Sequence, residues 1–203
     1  LPSSSSPVLG LDIGTGASCI YPLLGRAHLG WRFVATEVDP ASAAAARRNV
    51  ALNEWEAAIQ VREVAPGVKH DADANHAEGG VVPPQPPILM GVIGPSERFD
   101  FCMCNPPWFG DDETPQPNGA MRPRGERCAA TSSEVFTAGG EVGFILRMLA
   151  DSKALRERVA WYSSLVGRKA SLAPVLRALR TAGALHIRTA ELQQGVTSRW
   201  VVA

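Results

Sequence analysis

The chain has no apolar run approaching the ~18 residues that a membrane-spanning helix needs, so no helical membrane anchor is expected within it. It also lacks an excess of charge of either sign, because 20 Lys and Arg balance 20 Asp and Glu. That excludes a protein that coats nucleic acid through bulk electrostatics, but not one with a local basic rim. Cysteine is sparse (Cys19, Cys102, Cys104 and Cys128), and the four histidines, His28, His70, His76 and His186, are scattered. No Cys or His set has ligand spacing, so no metal is expected, and the thiols read as buried side chains of a reducing compartment. Internal repeats are absent, and nothing indicates an oligomer.

What is present begins with length. At 203 residues the chain suits a single domain with ample core, expected to span 1–203. Leu1 is not an initiator methionine, and Leu1 to Pro7 lead directly into a strand. The chain is therefore expected to be a piece of a longer protein.

The stretch Phe99-Asp-Phe-Cys-Met-Cys104 is short, apolar and aromatic-rich, the pattern of a buried strand. It runs into Asn105-Pro106-Pro107-Trp108, where two prolines without a backbone N–H must end it. Asn105 is then held extended at the strand's end by the proline that follows. The Asn105 side-chain carbonyl and the Pro106 backbone carbonyl can both accept hydrogens from a planar amino group. The Trp108 ring can hold the base bearing that group by stacking, worth about 1–3 kcal/mol per base. Such a corner suits methylation of an exocyclic or amide nitrogen. Asn-Pro also starts ordinary turns, so the tetrapeptide alone leaves both readings open.

The first fifty residues add a second corner. Val8 to Ile13 reads as a buried strand running into a turn with Gly14 and Gly16, followed by a helix over 17–24 that Pro22 shortens unless it sits in the first turn. A second strand, Trp31 to Glu37, ends in an acid 21 positions after Gly16, near the spacing at which an acid meets ribose hydroxyls. Pro40 to Leu52 is an alanine-rich helix. This is a βαβ unit with a nucleoside site at its carboxyl edge. It lacks the full dinucleotide fingerprint, since Cys19 stands where Gly or Ala would follow.

Ile59 to Val64 is a third strand, and the proline-rich stretch 65–98 an irregular loop with a short ordered turn near Ile88 to Gly91. A second long loop, 110–131, carries Arg122, Arg124 and Arg127 beside the proline corner, a grouping suited to phosphate contact. Arg168 and Lys169, after a strand over 160–166, extend that basic rim. Helices are expected over 141–159 and 172–182, the latter with Ser171 as N-cap and Gly183 as stop. Two final strands, 185–191 and 198–203, are expected to pair antiparallel, with the last one cut short.

The blocks Leu11 to Gly25, Ala35 to Asp39, Phe99 to Pro107, Gly139 to Glu141 and Trp161 to Ser163 closely resemble the methyltransferase-like protein sixteen family, whose bacterial relative is the 23S ribosomal RNA adenine N6-methyltransferase. The resemblance runs from about residue 8 to 203, except for the two long loops. It implies an α/β fold: a Rossmann-like class I S-adenosylmethionine-dependent methyltransferase with a mostly parallel seven-stranded sheet and helices on both faces. It further implies methyl transfer to adenosine N6 in structured RNA, of the U6 small nuclear RNA, hairpin or ribosomal kind, with S-adenosylhomocysteine as product. By position, Asp12, Gly14, Thr15, Gly16 and Ser18 match the loop around the cofactor's methionine part and Glu37 the ribose-binding acid. Val68 falls near the adenine side, and Asn105 to Trp108 match the catalytic tetrapeptide, with Asn105 also counted at the cofactor.

Departures are specific. Trp108 stands where the family usually has Phe, and Gly67-Val68 stand near the family's gating lysine, with Lys69 adjacent. The family's N-terminal RNA-binding segment has no counterpart here, so weakened RNA binding is expected of this chain alone. An intracellular location, nuclear or cytoplasmic, is implied. No strong base stands near the proline corner, and Asp111 and Asp112 read as solvent-facing. Three other readings stay open: a protein glutamine methyltransferase, a guanine-N2 or cytosine-N4 methyltransferase, and an RNA-binding module that turns over poorly.

Overall fold

Strand β1 (Leu9–Ile13) and strand β2 (Arg32–Glu37) are buried along nearly their whole length, as strands covered on both faces must be. In the computed structural model, which describes residues 7–64, 87–107, 137 and 139–203, these two strands form the middle of a parallel arrangement. Ile13 pairs with Thr36 at the top of the β1–β2 ladder, and β2 continues into β3 (Ile59–Glu63) with Glu37 opposite Glu63. On the other side of β1 lie β4 (Phe99–Cys104) and then β5 (Val159–Tyr162), giving a five-stranded sheet in the order β3-β2-β1-β4-β5. The Leu9 N–H donates to Asp100 Oδ2 at 2.7 Å, so the starts of β1 and β4 lie side by side. Strand order reverses between β1 and β4, and open α/β sheets bind ligands beyond the carboxyl ends at such a switch point.

Two compact units divide the chain: Leu1–Met103 with Arg147–Tyr162, and Cys104–Leu146 with Ser163–Ala203. In the first, helices α1 (Ile20–Leu29) and α2 (Pro40–Leu52) flank the sheet. They pack on the face bearing Phe33 and Ala35, where Cys19, Ala46, Val50 and Ile59 complete a buried cluster. Asp39 caps α2 by accepting the Ser42 N–H at 2.8 Å, and Pro40 opens the helix where its missing N–H costs nothing. The segment after the long loop is tied by charged anchors. Asp151 Oδ2 accepts N–H groups from Ile88 at 2.7 Å, Leu89 at 2.6 Å and Met90 at 3.4 Å. Arg62 grips Glu97 through two nitrogens and holds that carboxyl down to about 2. Arg158 donates to the carbonyls of Ile93 and Gly94.

In the second unit β6 (Ser164–Val166), β8 (Thr197–Val202) and β7 (Thr189–Gln194) form an antiparallel sheet in the order β6-β8-β7. Ile145, from the long helix α3 (Gly140–Leu155), packs with Val166, Val202 and Val175, the last from α4 (Lys169–Thr181).

The Rossmann-like reading stands, with differences of detail. Among the described residues, eight strands lie in two sheets, five and three, where a single seven-stranded sheet was expected. The run 160–166 is two strands, β5 and β6, because the chain leaves one sheet for another at Ser163. Helix α1 starts at Ile20 and reaches Leu29: Pro22 does fall in the first turn, and Gly30, at φ 69°, ends the helix. Helix α4 begins at Lys169, and Ser171 lies inside it, its N–H already donating to the Arg168 carbonyl at 3.0 Å. Gly183, at φ 77°, stops it as expected. The ordered turn at 88–91 is there, with Leu89 fully buried.

The Phe33 ring needs two glycines. A Cβ on Gly10 of β1 would lie 2.7 Å from it and 2.5 Å from Phe101, and a Cβ on Gly25 of α1 would lie 2.5 Å from the same Phe33 ring. Trp31 and Phe101 close the cluster, their ring centroids 6.4 and 5.9 Å from that of Phe33. The ring therefore has no direction in which to yield. Gly25→Ala gains roughly 1 kcal/mol in helix propensity, yet overpacking costs about 1–3 kcal/mol. A net loss of stability is expected, read as a lower urea midpoint. A gain would mean that the ring relaxes.

Candidate functional site

The turn after β1 has no secondary structure of its own and is held by the end of β2. The Thr15 N–H donates to the Thr36 carbonyl at 2.8 Å. The Thr36 hydroxyl donates to the Asp12 carbonyl at 3.2 Å and accepts the Gly14 N–H at 3.4 Å. Glu37 Oε2 accepts the Gly16 N–H at 2.8 Å, while Oε1 accepts from Val38 at 2.8 Å and Asp39 at 3.0 Å. From α2, Asn49 Nδ2 donates to the Ala17 carbonyl at 3.0 Å and the Ser18 carbonyl at 3.3 Å.

Gly14 and Gly16 adopt φ of 68° and 65°, the left-handed region where a side chain is strained. Nothing lies within 4 Å of where a Gly14 Cβ would be, so the backbone is open to a ligand on that side. Glu37 is 3% exposed and keeps about one lone pair beyond the three it uses, so it can accept from a ribose hydroxyl as well.

Asp12 and Glu37 lie on one face of the sheet, since Asp12 pairs with Ala35, two residues before Glu37. Asp12 is 1% exposed, and its Oδ2 has no hydrogen-bond partner. Burial pushes its carboxyl up to about 7; nearby Thr15 opposes this and the Glu37 charge adds to it. The Thr15 hydroxyl is also buried without a full hydrogen bond. Cys19, at the start of α1, is pushed up to about 11 by burial, so it is a packed thiol and not a nucleophile.

Gly16 and Glu37, 21 positions apart in the sequence, are thus in direct contact. Ser18 is exposed at the same turn. Asn105 is exposed immediately after β4, and Pro106 behind it is fully buried. Pro107 is half-buried. Arg168 and Lys169 stand at the start of α4. There Glu141, itself 2% exposed, accepts the Gly167 N–H at 2.6 Å and the Arg168 N–H at 3.1 Å. Trp108, Val68, Arg122, Arg124 and Arg127 lie outside the described residues. Sequence reasoning missed Thr36 and Asn49. Thr36 could have been found as the hydroxyl paired with the last residue of β1, whereas Asn49 left no signal. Among the described residues no cluster of His, Cys, Asp and Glu could hold a metal, and no helix is long and apolar enough to cross a membrane.

A family model described as RNA methyltransferase matches residues 2–203. The U6 small nuclear RNA (adenine-(43)-N(6))-methyltransferase of Caenorhabditis briggsae is 38% identical over 221 residues, which cover 99% of this chain and 42% of that protein. Among solved structures, the human Mettl16 catalytic domain in complex with the MAT2A 3′UTR hairpin 1 superposes with a TM-score of 0.76 at 37% identity, over 96% of this chain and 62% of that one. The N-terminal domain of human METTL16 in complex with SAH superposes with a TM-score of 0.70 at 34% identity, over 98% of this chain and 61% of that one. The chain thus spans about two fifths of the curated relative's length.

The buried Asp12 carboxyl makes a prediction about the ligand-free chain. Its folded value lies above the unfolded one, so its contribution to stability is greatest in acid and is lost as pH rises toward 7. The advantage of Asp12→Asn over the parent should grow by about 2–3 kcal/mol between about pH 5 and about pH 8, measured by denaturant unfolding at both. A constant difference would mean that the carboxyl is not neutral in the folded chain.

Proposed function

Because the chain belongs to a family of RNA methyltransferases, we propose that it transfers a methyl group from S-adenosylmethionine to the N6 amine of an adenosine in structured RNA. The observation that carries this reading is the glycine corner: two left-handed glycines, the first with open space on its Cβ side and the second pinned to a ribose-spaced acid at the carboxyl edge of a parallel sheet. The relative named for adenine-N6 methylation and the neighbour solved with an RNA hairpin supply the acceptor.

The residues present fit the cofactor. Gly14, Thr15, Gly16 and Ser18 would lie along its methionine part, and Glu37 would accept from the ribose. Asp12 offers a buried acceptor with no partner among the described residues. Bound there, S-adenosylmethionine supplies a methyl group activated by a sulfonium. The chain's own work is positioning and exclusion of water. Asn105 and the Pro106 carbonyl accept the two N6 hydrogens, which turns the nitrogen lone pair toward the electrophile. Trp108 stacks on the adenine, which is cheaply unstacked where RNA loops or bulges already splay it. Arg122, Arg124, Arg127, Arg168 and Lys169 contact phosphates, and Glu141 fixes the backbone from which Arg168 and Lys169 project. Val68 contributes on the cofactor's adenine side.

The test is to incubate the purified chain with labelled S-adenosylmethionine and total RNA or total protein, then digest the RNA to nucleosides. Label in N6-methyladenosine is expected. Label in protein would point to glutamine, label in N2-methylguanosine or N4-methylcytidine to another base, and RNA binding without transfer to a weak module. Asn105→Ala should fall below about a tenth of parental incorporation, a loss of at least ~1.4 kcal/mol in transition-state stabilisation. Higher residual activity would remove Asn105 from its role.

A further inference from the structure

Four acids among the described residues are buried: Asp12, Glu37, Glu141 and Asp151. Three spend their oxygens on backbone N–H groups. Glu37 receives three, Asp151 three and Glu141 two. Asp12 differs, because its Oδ2 is sealed from solvent and meets no donor. No architectural role accounts for that oxygen.

The surroundings of Asp12 decide its state. From β2, Glu37 lies on the same face and accepts three backbone N–H groups. From β3, Glu63 stands beyond Glu37, with Arg47 of α2 at 3.8 Å from its carboxylate. From α1 comes only the neutral thiol of Cys19, and from the turn only the Thr15 hydroxyl. On this face β4 contributes Phe101 and Met103, while its acid, Asp100, is occupied at the other end by Leu9. No cation faces Asp12 from any of these elements. Burial first, and then the neighbouring Glu37 charge, hold the Asp12 carboxyl up at about 7, with only the Thr15 hydroxyl opposing them.

We propose that Asp12 carries a proton in the ligand-free chain and releases it to solvent when the positively charged cofactor enters the glycine corner, so that cofactor binding and proton release are one event. This rests on the cofactor site proposed above and deepens it. The ligand offers two cations, an α-ammonium and a sulfonium, and either would stabilise the carboxylate in a low-dielectric setting. Proton linkage fixes the sign. Below the value near 7 of the free acid, each bound ligand must expel a proton, so affinity falls as pH falls; above it, no proton is left to expel. The steepest dependence possible for one proton is about tenfold per pH unit.

The experiment is calorimetric titration of the whole chain with S-adenosylmethionine, and separately with S-adenosylhomocysteine, which keeps the ammonium but has no sulfonium. Two buffers of different ionisation heat are used between about pH 6 and about pH 7, where the ligand's own amino group already holds its proton. Release of about half a proton or more is expected, with the dissociation constant weakening severalfold across that range. Release with both ligands assigns the ammonium, and release with the first alone assigns the sulfonium. Asp12→Asn should bind with no proton release and a flat pH profile. Binding without release by the parent, or unchanged release by Asp12→Asn, overturns the inference and leaves the cofactor site standing. If neither ligand binds at any pH, the site reading fails and this falls with it. Should Asp12→Asn not fold, the proton count of the parent chain decides alone.

Discussion

The hydrogen bond from the Gly16 N–H to Glu37 Oε2 is the constraint on which the rest depends. The turn after β1 contains two left-handed glycines and no ladder of its own, so its shape must be imposed from outside. Imposition comes from β2 through Thr36 and Glu37, which stand opposite Ile13 and one residue further on. A parallel ladder slipped by one residue would turn both side chains to the opposite faces. The register of β1 on β2 therefore decides not only which residues are buried but also whether the glycine corner exists. Phe33, boxed between Gly10 and Gly25, fixes that register from the far end: no other residue of β2 needs two missing side chains beside it.

Much of this was legible in the residues. The glycine turn, the acid 21 positions on, the helix over 40–52 and the strand ending at the paired prolines all rest on local chemistry: φ above zero, capping, and the missing proline N–H. The errors have one origin, in that each depended on where a segment packs. The run 160–166 is apolar apart from Ser163 and Ser164, and nothing in its pattern says that the chain changes sheets at Ser163. Ser171 is a good N-cap by type, but Glu141, from another helix, holds the N–H groups of Gly167 and Arg168 just before α4, and the helix starts at Lys169, ahead of the serine. Asn49 bonds the turn at 17–18 from 31 residues away, and a polar residue on a helix carries no mark of such a reach.

The same logic limits what composition can say about partners. A net charge of zero hides the fact that the buried acids are not surface charge at all. Glu37, Glu141 and Asp151 work inside the fold as acceptors for backbone N–H groups at the ends of loops. Arg62 and Arg158 do the matching work for Glu97 and for the carbonyls of Ile93 and Gly94. Charge balance counted from the sequence therefore understates how far the solvent-facing remainder can be basic, as the pair Arg168 and Lys169 at the start of α4 illustrates.

Set against those acids, Asp12 is the residue that stability alone would not retain. An acceptor for N–H groups stabilises a fold in proportion to the donors it meets, whereas a buried carboxyl oxygen that meets none costs the fold its desolvation. A neutral side chain of the same shape would be better at that position in the ligand-free chain whenever the pH exceeds the acid's own value. The cost makes sense only if the carboxylate is stabilised at another point in the cycle by something the polypeptide does not itself supply, and that something must be positive. A methyl donor whose charge falls as it reacts would be such a partner: below the acid's own value near 7, the proposed cofactor site holds a neutral acid when empty and a carboxylate when filled.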